Sequence, residues 1–184
     1  GFRGADFEAE KPAGTYRIVC LGESSTFGYT DTDDGTYPYL LQRCFDQQGG
    51  ARRVEVLNAG IPHFNTNNQV ALLDEEALSW TPDVFTLYVG YNDATYPVAE
   101  NGWQRVTRKV DEYSAAFAGL RKLVNARFGE VIFNQWSAYL PRMDAPRLAR
   151  QIELHRAMTR ANLAAIAARA ARQGTRLVVV RQPM

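Results

Sequence analysis

Three short clusters in this chain carry the residue types that acyl transfer needs: Gly22-Glu23-Ser24, Asn58-Ala59-Gly60 and Gly90-Tyr91-Asn92-Asp93. Each directly follows an apolar run rich in β-branched residues. Ser24 offers a hydroxyl that attacks a carbonyl once a neighbour takes its proton. Gly60 lets a backbone N–H approach a ligand with no side chain in the way. Asn92 offers a neutral amide donor that needs no change of protonation. Together the Ser24 N–H, the Gly60 N–H and the Asn92 amide form a donor set for a tetrahedral oxyanion. Each residue also has an ordinary reading. A Ser after a strand commonly caps a helix, and Asn and Gly are common turn residues. What favours the chemical reading is their recurrence at three successive strand ends.

That geometry requires elements that bring the three ends to one edge. Residues 17–21, 54–57, 84–89, 131–133 and 177–180 read as short buried strands. Between them lie helical patterns. One opens at Tyr37-Pro38, with proline in the first turn, and runs to about Gln48, where Gly49-Gly50 stops it. Another covers 67–78, with Val70, Leu73, Ala77 and Leu78 at helical spacing. A third spans 107–127, and a long Ala- and Arg-rich one spans 147–173. Strands alternating with helices predict an α/β fold with a parallel sheet and helices on both faces. We expect a three-layer, flavodoxin-like domain with five strands in the order 2-1-3-4-5. In that order strand one lies between strands two and three, and Ser24 falls between Gly60 and Asn92 at the carboxyl edge, where open α/β sheets bind ligands. Residues 1–14 read as an irregular lead-in, and all of 1–184 as one domain.

The three clusters resemble the first three blocks of the SGNH (GDSL-type) hydrolases, in the bacterial form with a Gly-Glu-Ser first block. The resemblance implies a serine esterase, with Ser24 as nucleophile and Gly60 and Asn92 as oxyanion donors. Glu23 stands where the family usually has Asp. It also implies a carbohydrate or lipid ester as substrate, hydrolysis or O-acyl transfer as reaction, and no cofactor or metal. His63 and Tyr91, in the loops after the second and third strands, are candidates for substrate contact. The segment Gly1-Phe2-Arg3-Gly4 resembles the stretch just upstream of the first block in longer bacterial members.

The family's fourth signature, Asp-X-X-His, is absent from these 184 residues, whose only histidines are His63 and His155. Two expectations follow: a catalytic segment lies beyond the sequence, or the chain is a ligand-binding module of the same fold without a competent triad. We favour the first. A flavodoxin-type cofactor binder is a weaker third, because Glu23 would be an unwelcome charge beside a phosphate.

Composition is that of an ordinary globular chain, 46% apolar and 22% charged. The net charge of +1 argues against a nucleic-acid partner. No run is long and apolar enough to span a membrane. Asp31, Asp33 and Asp34 lack the spacing of a calcium loop. Cys20 and Cys44 are expected to pack as small apolar residues.

Overall fold

The computed structural model describes residues 2–95 and 144–180. The chain divides into two compact units, one comprising Gly1–Asp93 with Thr159–Met184 and the other Ala94–Met158. The first holds the sheet and all three clusters. In the second, the described residues include the opening turns of a long helix, where Arg156 pairs with Glu153 at 3.1 Å on an exposed face.

The chain runs β1 (Thr15–Gly22), α1 (Ser24–Phe27), a 3-10 turn (Asp33–Gly35), α2 (Tyr37–Gln48), β2 (Arg53–Gly60), α3 (Thr66–Leu72), a π-helical segment (Leu73–Ala77), β3 (Val84–Tyr88), α4 (Tyr91–Thr95), α5 (Ala145–Arg172) and β4 (Arg176–Val179). The described strands form one parallel sheet in the order β2-β1-β3-β4. The 2-1-3 arrangement expected from the sequence therefore holds. Four strands lie among the described residues. The strand expected fifth, Arg176–Val179, hydrogen-bonds directly to β3; the strand expected at 131–133 and the helix expected at 107–127 lie outside the described residues. β2 runs through Asn58-Ala59-Gly60, read from sequence as the start of a loop, because its pairing with β1 continues to Gly22 opposite Gly60.

β1 is buried along almost its whole length. Its pairing register explains why. Val19, Leu57 and Phe85 lie abreast, as do Leu21, Ala59 and Leu87. These side chains share one core with Leu72, Leu73 and Ala77 of α3 and its π-helical continuation, and with Ile166 and Ala170 of α5. On the opposite face Cys20, Asn58 and Thr86 lie abreast, and α2 covers them, with the Tyr37 hydroxyl 3.1 Å from Thr86 Oγ1. Helices thus cover both faces of the central strand. Cys20 is buried as expected, but Cys44 is exposed. Pro38, Leu41, Gln42 and Phe45 form the inward stripe of α2, and Cys44 falls off that stripe. Gln42 also blunts the outer edge of β2, its side-chain amide accepting from the Val56 N–H at 2.7 Å and donating to the Val54 carbonyl at 3.1 Å.

The lead-in is firmly packed. Phe2 and Phe7 meet the Trp80 ring edge-on at 4.9 and 5.1 Å. Arg17 of β1 is wholly buried. Its guanidinium pairs with Glu55 at 2.6 Å and donates to the carbonyls of Glu8, Ala9 and Trp80. Burying a cation is tolerable only when its donors are met, and this side chain ties Glu8 and Ala9 of the lead-in to β1. Arg3 works at the other end. It donates to the carbonyls of Phe27, Gly28 and Asp31, pairs with Asp33 at 2.6 Å, and lies over the Phe27 ring. It thereby pins the C-terminal end of α1.

α1 sits directly on the end of β2. A methyl group at Gly60 would come within 2.3 Å of the Phe27 nitrogen and 2.7 Å of the Thr26 carbonyl carbon. Both are backbone atoms that cannot turn away. Gly60→Ala is expected to destabilise the fold by about 1–3 kcal/mol through overpacking. An unchanged urea midpoint would show that α1 has room to shift. At the amino edge of the sheet, Asp83 joins Lys11 (2.8 Å) and the Arg17 N–H (2.7 Å). Burial raises its carboxyl, but Lys11, the Arg17 N–H and the charge of Arg52 more than offset this and hold it below the ordinary aspartate range. A depressed carboxyl stabilises the fold above its unfolded-state value and loses that contribution as pH falls through the folded one. The Tm gap between wild type and Asp83→Asn should be constant above about pH 4 and close below it. A gap that widens on acidification would contradict this assignment.

Candidate active site

Ser24 is the first residue of α1, and Glu23 occupies the N-cap position. The serine is therefore not a cap. No side-chain cap bond is formed at this helix start, and Ser24 is half-buried. The Thr26 and Phe27 N–H groups donate to the Glu23 carbonyl at 3.1 and 2.9 Å. The N–H of Ser24 is among the first donors of the helix, which have no partner within it. Gly28, in the left-handed region at φ 75°, closes the turn by donating to the Ser24 carbonyl at 2.8 Å. One turn of helix is thus enough to hold Ser24 at the carboxyl end of β1.

The Glu23 side chain, 1% exposed, is directed away from its own helix. Its Oε1 accepts from the Gly90 N–H at 2.7 Å and its Oε2 from the Asn92 N–H at 3.1 Å. Burial pushes its carboxyl above the ordinary glutamate value. The N–H groups of Gly90, Asn92 and Tyr91 pull it back, and the charge of Asp93 adds to the rise. From sequence, Glu23 is a replacement for the usual Asp and a charge unsuited to a phosphate site. The structure makes it the tie between the first and third clusters.

The second cluster is joined by other bonds. The Gly22 carbonyl accepts from the Ile61 N–H at 3.1 Å and from Gln69 Nε2 at 2.7 Å. Asn92 is buried, and its amide donates to the Phe64 carbonyl at 2.8 Å. An amide nitrogen carries two hydrogens, so this bond orients the side chain and uses one of them. Asp93, also buried, accepts from the Thr66 N–H at 3.2 Å and from the Thr66 hydroxyl, at the start of α3. Asn162 of α5 donates to Thr66 Oγ1 at 2.9 Å. Asp93 and Thr66 belong to a network that sequence reading passed over. Its available signal was an acid directly after Asn92 and a hydroxyl two residues beyond Phe64.

Ser24, Gly60 and Asn92 accordingly stand at the ends of three adjacent elements on one sheet edge. The structure adds one feature to the expectation for Gly60. Its N–H donates to Asn58 Oδ1 at 3.0 Å, while Asn58 Nδ2 is buried without a partner. Among the two substrate candidates, His63 is exposed in a turn closed by the Phe64 N–H on the Ile61 carbonyl (3.2 Å). Its φ of 68° is one that glycine usually supplies. Tyr91, 67% exposed, opens α4 between the two residues that Glu23 holds. His155 lies in α5, half-buried, and belongs to the second unit. Among the described residues, no group of three His, Cys, Asp or Glu side chains is placed to hold a metal ion, and no helix is long and apolar enough to cross a membrane.

Among solved structures, TesA shares the fold: it is 17% identical with a TM-score of 0.52, the match covering 91% of this chain and 62% of that one. AlinE4, an SGNH-hydrolase family esterase, is 16% identical with a TM-score of 0.49, over 94% of this chain and 63% of that one. A GDSL-like lipase from Bacteroides thetaiotaomicron is 16% identical with a TM-score of 0.40, over 89% and 47%. The chain spans less than two thirds of the length of each. No curated protein matches. A family model for the GDSL-like lipase/acylhydrolase family matches residues 20–184. This chain is a member of the GDSL-like lipase/acylhydrolase family.

Proposed function

We propose that the protein is a serine esterase acting on a small acyl ester. The observation that carries this reading is the junction at the sheet edge. The residue before Ser24 is bonded to the backbone of Asn92, so a nucleophile and an amide donor are fixed relative to each other. In the proposed reaction Ser24 Oγ attacks the ester carbonyl. The Oγ–C bond forms, the hydroxyl proton passes to a base, and the oxyanion is met by the Ser24 N–H and the Asn92 amide. Collapse expels the alcohol, which takes up the proton, and leaves an acyl-serine that water hydrolyses. Gly60 contributes its N–H when Asn58 Oδ1 gives it up. His63 and Tyr91, both exposed beside these donors in sequence, serve as substrate contacts, which suits a carbohydrate or lipid ester. The base is not among the residues this reading names.

A second reading has the same edge hold an acyl ester without turning it over. The Asn92 amide, held on the Phe64 carbonyl, would orient a bound ester carbonyl in that case too. Transfer to an alcohol in place of water would use the same acyl-serine. Turnover decides among them. Ser24 should be labelled by a fluorophosphonate, with Ser24→Ala unlabelled by intact mass. In an active form of the protein, Asn92→Ala should lower kcat by about 10²–10³ with little change in KM, the usual effect of losing one oxyanion donor. Unchanged turnover of a p-nitrophenyl ester by Asn92→Ala would reduce Asn92 to a turn residue. Ester binding without labelling would establish the binding module.

A further inference from the structure

Resting on that reading, we propose that Glu23 is a positioning residue, whose carboxylate holds the Gly90 and Asn92 N–H groups and so sets the Asn92 amide in register with Ser24. The argument begins with cost. A carboxylate 1% exposed is expensive to bury unless its oxygens are met. Here each oxygen takes one backbone N–H, at 2.7 and 3.1 Å, and both come from the turn after β3 rather than from α1. Glu23 therefore leaves its own helix start without a side-chain cap and spends its acceptors across the sheet edge.

What it holds is a turn that needs holding. Gly90 has φ 136°, a conformation closed to ordinary side chains, and a methyl group there would meet nothing within 4 Å. Backbone shape, not crowding, thus requires glycine at this point. A flexible glycine two residues before Asn92 leaves that residue free to swing unless its backbone is anchored. Glu23 anchors it on the β1 side. The Phe64 carbonyl anchors its amide on the β2 side, and Asp93 fastens the next residue to Thr66. Of these three ties only Glu23 adjoins the serine in sequence, so any movement of α1 is transmitted to Asn92 through it.

The side-chain chemistry makes a sharp test. Glutamine has the shape of glutamate but offers one acceptor oxygen and an amide that is itself a donor. Two N–H groups that now share a carboxylate would face one oxygen and one opposing NH2. Aspartate keeps both oxygens on a shorter arm. Glu23→Gln and Glu23→Asp would be compared with wild type, in the full protein, by three readouts: the rate of fluorophosphonate labelling at Ser24, kcat and KM on a p-nitrophenyl ester, and amide hydrogen exchange at Gly90 and Asn92. Glu23→Gln is expected to slow labelling and lower kcat by roughly tenfold to a hundredfold, the scale of a small misplacement of a catalytic group. KM should stay near its wild-type value, and exchange at both amides should quicken. Glu23→Asp should recover part of the loss. A Glu23→Gln variant with wild-type labelling and wild-type exchange would overturn the proposal, as would a loss confined to KM. If Glu23→Gln does not fold, exchange in the wild type decides. Gly90 and Asn92 should be protected well beyond the amide of Ala51, exposed in the loop before β2, and equal exchange would overturn the tie. Failure of wild-type Ser24 to label would instead remove the serine reading, while exchange in the variants would still report on Glu23.

Discussion

A buried carboxylate must find hydrogen-bond donors or lose its charge, and the donors that Glu23 finds decide how this sheet edge is assembled. Its two oxygens accept from Gly90 and Asn92 across the top of β1 and β3. Burial pushes its carboxyl up while those same N–H groups pull it down. The ionised form thus depends on the turn after β3, and that turn is in turn shaped by the ionised form. The neighbouring charge of Asp93 would make the arrangement untenable were it not absorbed at the start of α3 by the Thr66 N–H and hydroxyl. Two adjacent acids at one edge are tolerable because each faces a different set of donors.

A second constraint is distance. α1 is a single turn laid so close to β2 that Gly60 has no room for a side chain. Arg3 holds the far end of that turn through three carbonyls, and Arg17 holds the lead-in to the sheet. Residues that look like an unstructured preamble therefore act on the helix that carries Ser24. Gly60 shows how one residue answers two demands. Backbone proximity explains its lack of a side chain without any appeal to a ligand, and its N–H is engaged by Asn58. The case for an oxyanion site rests more firmly on Ser24 and Asn92.

Much of this was legible in the sequence. Short apolar runs separated by helical periodicity specify a parallel α/β sheet, and the 2-1-3 order is the one a flavodoxin-like domain takes. α2 could be bounded from Tyr37-Pro38 and Gly49-Gly50, because proline and glycine act locally. Strand ends were harder. The last residues of β2 carry Asn58 and Gly60, which have poor strand propensity, yet pairing with β1 overrides it. The neighbour of β3 was also hidden, since pattern alone gives strands and not their partners. Cys44 was misplaced because a small residue fits either face of a helix. Within the site, residue types pointed to Ser24, Gly60 and Asn92, but the ties among them were invisible. Glu23 to Asn92 and Asp93 to Thr66 are long-range bonds, and no spacing rule announces them. The reading of Ser24 as a possible helix cap was settled by position, since Glu23 occupies the N-cap.

The central claim is that one oxygen can be held at once by the start of α1 and by the Asn92 side chain. A crystal structure of the protein with a phosphonate bonded to Ser24 Oγ tests it most directly. The phosphoryl oxygen stands in for the oxyanion of the tetrahedral intermediate. The account predicts that it lies about 2.7–3.1 Å from both the Ser24 nitrogen and Asn92 Nδ2, with Glu23 still bonded to the Gly90 and Asn92 N–H groups. A phosphoryl oxygen turned to solvent, with the Asn92 amide engaged only by the Phe64 carbonyl, would contradict it.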